Sequence, residues 1–152
     1  MIHLERILNL RQSSLFDSVS LEKVSVLAES LAERSFSASE EILKEGDECR
    51  NIFLIAKGSV RVRCSGMNSV VSSGGFFGEL NVFHPESLPL AASAEEEVLI
   101  FEIDGELYQK VLAEEFDIAE NLLRSLVRKI ISLAEQKTEI NHDEKARNHN
   151  FS

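Results

Sequence analysis

Cysteine is scarce in this chain. Cys49 and Cys64 are its two occurrences in 152 residues, too few for a disulfide framework or a cysteine-built zinc site. Two free thiols fit a reducing compartment. Long apolar runs are missing as well. The best stretches, such as Val98–Phe101, are strand-sized and far short of the ~20 residues that span a bilayer. The opening Met1-Ile2-His3-Leu4-Glu5-Arg6 has no basic region leading into an apolar one, so it does not read as a secretory leader. A cytoplasmic location is the expectation. Positive charge is in deficit, with 16 Lys and Arg against 26 Asp and Glu and a formal net charge of -10. A surface of that sign repels polyanions and disfavours nonspecific nucleic-acid binding. The best basic group, Arg124, Arg128 and Lys129, reads as a solvated helix face. There is no internal repeat and no Pro- or Gly-rich linker, so the length fits one domain with one core.

What is present falls into three parts. Leu4, Ile7 and Leu8 stand at helical spacing, and a first helix is predicted over residues 3–12. Ser20 is placed as an N-cap with Glu22 in the first turn, and Val24, Leu27, Ala28 and Leu31 follow at i, i+3, i+4, i+7. A second helix is therefore predicted over 20–33. From 34 to 103 short segments rich in β-branched residues alternate with Gly, Asp and Ser turns. Within Ser59–Cys64, Val60, Val62 and Cys64 share one face, and Arg61 and Arg63 the other. Many short strands at regular spacing point to an all-β sandwich or roll. Helical period returns in 105–113 and 117–138. The longer helix carries an apolar set of Ile118, Leu122, Leu123, Leu126, Val127, Ile130, Ile131, Leu133 and Ala134, wider than a two-position seam. Residues 139–152 are polar and aperiodic and are expected to be a disordered tail. The fold expected is mainly β with flanking helices: a jelly-roll-like β-roll with helices before it and a long helix after it.

Within that order, Phe77-Gly78-Glu79-Leu80 precedes Pro89-Leu90-Ala91-Ala92-Ser93, and Gly46 and Gly58 each follow a strand-like segment. In this combination the chain resembles the cyclic-nucleotide-binding domain family, which includes bacterial catabolite activators and regulatory subunits of cAMP-dependent protein kinase. The resemblance covers roughly Leu15 to Lys137. It implies that Gly78 lets a ligand approach the backbone. A short helix starts there with its amides facing the cyclic phosphate, and Glu79 accepts a hydrogen bond from the ribose 2′-hydroxyl. In the family an arginine follows the proline and closes on the phosphate by charge-assisted hydrogen bonds. Leu90 stands at that position. A buried phosphate without its cation loses ~3–5 kcal/mol, roughly two to three and a half decades of affinity. Arg61 and Arg63 point away from the Val60/Val62 face, while His84 and Lys57 remain as unforced substitutes. The expected ligand-binding or vestigial cassette is thus Phe77, Gly78, Glu79, Leu80, Leu90, Ala91, Ala92 and Ser93. Three readings stay open for it: a purely structural turn, a site for another small ligand, or a cyclic-nucleotide site.

Other chemistry finds little support. Gly74-Gly75-Phe76-Phe77-Gly78 matches neither a dinucleotide-binding nor a Walker pattern. The four histidines, His3, His84, His142 and His149, are far apart. A cupin-like metal enzyme, also a β-roll, lacks its His-x-His pair, although His84 stands near Glu86. No nucleophile elbow is present. The expectation is a non-catalytic regulatory or protein-interaction module with no metal and no required cofactor. Its partner would be a second copy, joined through Leu122, Leu126, Ile130 and Leu133, or the rest of a longer parent chain. Residues 140–152 are too few for a helix-turn-helix, so direct DNA binding is not expected.

Overall fold

The computed structural model describes residues 2–83 and 89–150, with side chains as far as residue 139. Two helices open it, α1 (His3–Arg11) and α2 (Leu21–Glu29). The Ser20 hydroxyl accepts from the Lys23 amide at 3.4 Å, so the expected N-cap forms. Helix α2 buries Val24, Leu27 and Ala28. It ends at Glu29, not near residue 33. Ala32–Phe36 is instead strand β1, paired antiparallel to β8 (Val98–Ile103) from Ala32↔Glu102 to Phe36↔Val98. Helical spacing ends at Leu31, and nothing in the largely exposed Ala32-Glu33-Arg34-Ser35-Phe36 announces a strand. The free edge of β8 imposes it, with help from an Arg34–Glu102 ion pair and Arg34 over the Phe36 ring.

The remaining strands are β2 (Glu41–Leu43), β3 (Ile52–Lys57), β4 (Ser59–Cys64), β5 (Met67–Ser72), β6 (Phe76–Phe77) and β7 (Leu90–Ala94). They form two four-stranded antiparallel sheets, ordered β1-β8-β3-β6 and β2-β7-β4-β5. The β4 alternation is as expected: Val60 and Val62 are buried, Arg61 is half-buried and Arg63 is exposed.

The fold holds two apolar layers. Between the sheets lie Phe53, Ile55, Val60, Val62, Phe77, Leu90, Ala92, Val98 and Ile100. Between the β3/β8 sheet and the helices lie Ile52, Leu54, Phe101, Ile103, Leu10, Phe16, Leu27, Tyr108 and Ile118. Strands β3 and β8 therefore send alternate residues into both layers. This is why Ile52-Phe53-Leu54-Ile55-Ala56 reads as an unbroken apolar run.

Asp104 caps α3 (Gly105–Glu114) by accepting from the Glu106 and Leu107 amides at 2.8 and 3.2 Å. Helix α4 runs from Phe116 to Asn150. The expected end at 138 and the disordered tail are thus corrected for residues 139–150. No Gly or Pro interrupts that stretch, and Glu, Lys, Ala and Arg sustain a helix without an apolar period. Near its start α4 is fixed to the N-terminal turn, where Asn121 Nδ2 donates to Leu15 O at 3.2 Å and to Ser18 Oγ at 2.9 Å.

Candidate ligand site

The first half of the site hangs from β3. Strand β6 pairs with it through Phe53↔Phe77 and Leu54↔Phe76, and the Phe53 and Phe77 rings stack at 5.0 Å. Gly78 follows at φ +91°, a conformation that side chains other than glycine rarely adopt. A Cβ there would lie 2.6 Å from Asn51 O and 3.2 Å from Cys49 Sγ. The close approach at Gly78 is therefore to the protein's own backbone. Burial raises the Cys49 thiol pKa above its ordinary value, against the lowering effect of a backbone hydrogen bond from Asn51. After Gly78 the chain makes a turn closed by Asn81 N donating to Gly78 O at 3.1 Å. Residues 79–83 are turn, not the short helix that the resemblance implies.

The second half lies on β7, paired to β4 through Cys64↔Leu90, Arg63↔Ala91, Val62↔Ala92 and Arg61↔Ser93. Leu90 is 7% exposed and belongs to the inter-sheet layer with Phe53, Phe77 and Val62. Its side chain is packed among hydrocarbon. Ala91 and Ala92 are buried and Ser93 is half-buried. Arg61 is engaged outside by Glu95 and Asn68. Arg63 and Lys57 are exposed. None of the three faces the inter-sheet layer. His84 and Glu86 lie outside the described residues, and with them the remaining hint of a metal site. Among the described residues no group of three or more potential metal ligands comes together.

Glu79 is where the structure departs furthest from expectation. Its side chain is 1% exposed, and its carboxylate meets the Lys129 ammonium of α4 in an ion pair. The same ammonium lies 5.5 Å from the centre of the Phe76 ring. Burial pulls the Lys129 pKa below its ordinary value. Sequence reasoning had left Lys129 on a solvated face. A signal was available: Ile118, Leu122, Ser125 and Lys129 stand at i, i+4, i+7, i+11, and the first three are buried. Lys129 is the next position on the docked line.

The same line alters the expected dimer contact. Leu122 is 8% exposed and packs within the chain, and Leu126 packs partly against the same layer. Ile130 and Leu133 are exposed, joined by Leu123, Val127 and Ile131.

Surface cavities of about 510, 580 and 400 Å³ open among the described residues. Pro89, Ala91 and Ala92 border the first, but Gly78, Glu79 and Leu90 line none of them.

Comparison with known proteins bears on the family and the fold. The family model for the cyclic nucleotide-binding domain matches residues 33–115. A cAMP-dependent protein kinase regulatory subunit from Debaryomyces hansenii is 30% identical over 104 residues, covering 66% of this chain and 23% of that protein. A CRP-like cAMP-activated global transcriptional regulator from Mycobacterium tuberculosis is 23% identical over 127 residues, covering 80% of this chain and 57% of that one. The chain thus spans well under two thirds of either relative. A solved structure of the regulatory subunit of a cAMP-independent protein kinase A from Trypanosoma brucei, a triple variant bound to cAMP, matches with a TM-score of 0.66 and 19% identity. That match covers 81% of this chain and 48% of the other, and it shows a common β-roll fold.

Proposed function

This chain belongs to the cyclic nucleotide-binding domain family, and on that premise we propose that it is a non-catalytic regulatory or protein-interaction module that does not hold cAMP or cGMP tightly. The observation that carries the reading is Leu90, buried in the inter-sheet hydrocarbon layer, where the sequence resemblance implies the family's phosphate-binding arginine. A cyclic phosphate brought there loses its cation partner, and Glu79 adds a like charge unless Lys129 stays beside it. Gly78 supports the same reading. Its lack of a side chain is required by Asn51 O, with or without a ligand. The Trypanosoma brucei protein offers a parallel. It is described as cAMP-independent, and its cAMP-bound variant carries a threonine-to-arginine change among three substitutions. Calorimetry with cAMP and cGMP on the unmodified protein, at neutral pH and moderate salt, tests the reading. Weak or absent heat is expected, and micromolar or tighter binding of either nucleotide overturns it.

The module's output, in this reading, passes through α4 to a second copy of the chain. Leu123, Val127, Ile130, Ile131 and Leu133 are exposed within three turns of one helix, and their 3- and 4-residue spacing suits a self-complementary two-helix seam. No helix among the described residues is long and apolar enough to cross a membrane, so a lipid core does not account for that face.

A further inference from the structure

Glu79 is a fully buried carboxylate whose Oε1 is in contact with the Lys129 ammonium. Phe76 presents its ring face to the same ammonium. A buried carboxylate beside an aromatic face is the chemistry that recognises an organic cation, not a phosphate. Lys129 itself is 45% exposed at its side chain, so the cation sits at the mouth of the site with water on its far side. It is also the last docked residue of α4. Ile118, Leu122 and Ser125 precede it on the buried line, and residues 130–139 are all exposed.

We propose that Glu79 and Phe76 form a primary-ammonium site that Lys129 occupies in cis, so that the chain's own cation holds α4 on the roll without a nucleotide. The inference deepens the nucleotide-independent reading above and rests on it. It assigns the cassette carboxylate a new ligand class: an alkylammonium, supplied here by the helix. The stem of Lys129 delivers the charge, and the aromatic face selects a soft organic cation over a strongly hydrated metal ion.

Chemical rescue tests this on the full chain. Lys129→Ala should speed hydrogen exchange of the α4 amides over residues 118–129 by roughly tenfold or more, the size of a lost charge-assisted contact. Millimolar n-butylammonium should slow it again, whereas potassium at equal ionic strength should not. In Lys129→Ala combined with Glu79→Gln, butylammonium should have no effect. Unchanged exchange in Lys129→Ala overturns the proposal, and so does accelerated exchange that butylammonium fails to reverse. A second measurement does not depend on how well that variant folds. Glu79→Gln should speed acylation of Lys129, taken relative to that of Lys137 in the same sample, several-fold over the unmodified protein. A ratio that Glu79→Gln leaves unchanged refutes the ion pair. Tight cAMP binding by a protein that still shows protection and rescue would sink the nucleotide-independent reading alone.

Discussion

Replacing Leu90 by arginine restores the one cassette residue whose absence explains the proposed lack of nucleotide response. Leu90 lies in a layer formed by Phe53, Phe77, Val62 and Cys49, so a guanidinium placed there without a partner is a buried, uncompensated charge. Such a charge costs about 3–5 kcal/mol. For a domain of this size, at roughly 2–4 °C per kcal/mol, the melting temperature of ligand-free Leu90→Arg should fall by about 6–20 °C. A cyclic phosphate supplies the missing partner. At a hundred times its dissociation constant cAMP adds about 2.7 kcal/mol, which returns roughly 5–11 °C. The affinity gain over the unmodified protein is at most about two to three and a half decades, because the Lys129–Glu79 pair must also open for the ribose. Adding Lys129→Ala should therefore raise the affinity of Leu90→Arg further. Calorimetry and thermal melts with and without cAMP read both effects. If the double variant binds cAMP no better than the unmodified protein, Gly78 and Glu79 are not arranged as a nucleotide cassette and the reasoning fails.

Gly78→Ala should destabilise the fold by about 2–4 kcal/mol in urea titrations, since it combines a positive φ with a Cβ contact at 2.6 Å to a backbone oxygen; a loss under half a kcal/mol would show that the turn relaxes freely. Sedimentation at micromolar concentration should show a dimer that Ile130→Glu weakens without lowering the melting temperature, because Ile130 is 65% exposed in the single chain; a monomer at high concentration refutes the α4 seam. Burial raises the Tyr108 phenol pKa well above its ordinary value of 10.0. The unfolded chain therefore releases that proton first, so the stabilising contribution is complete below about pH 10 and is lost as pH rises beyond it. Ultraviolet titration should show Tyr108, the sole tyrosine, ionising only with unfolding, and a reversible native titration near its ordinary value would contradict the burial. Elemental analysis of untagged protein should find no stoichiometric zinc, iron or manganese, and one metal per chain would direct attention to His84.

The β-roll was legible because its strands carry their own signals. Ser59–Cys64 alternates, Ile52–Ala56 is apolar throughout, and Gly46 and Gly58 adopt the positive φ their turns need. Two elements were not legible for the same physical reason. Strand β1 is mostly exposed, and its pairing is dictated by β8. The end of α4 has no apolar period, so only the propensity of its residues argues for helix there. The site divides along a similar line. Gly78, Glu79 and Leu90 were singled out through motif order. What Glu79 does depends on a residue fifty positions away, and local pattern is silent about such contacts. Lys129 interrupts an apolar stripe, which argues for solvent if each residue is read singly. Read along the helix, it falls at i+11 from the fully buried Ile118 and i+7 from Leu122. A lysine at that place has two ways to satisfy its charge: extend into water or find a buried anion. Glu79, a buried acidic residue in the turn after Gly78, poses the complementary problem. Each is costly alone, and the fold that packs α4 on the roll brings them together. In the proposed nucleotide-independent reading, Leu90 and the pairing of Glu79 with Lys129 belong together. A cassette that has lost its phosphate cation gains nothing from an unpaired carboxylate, and a cation drawn from the neighbouring helix neutralises that carboxylate and fastens the helix in the same contact.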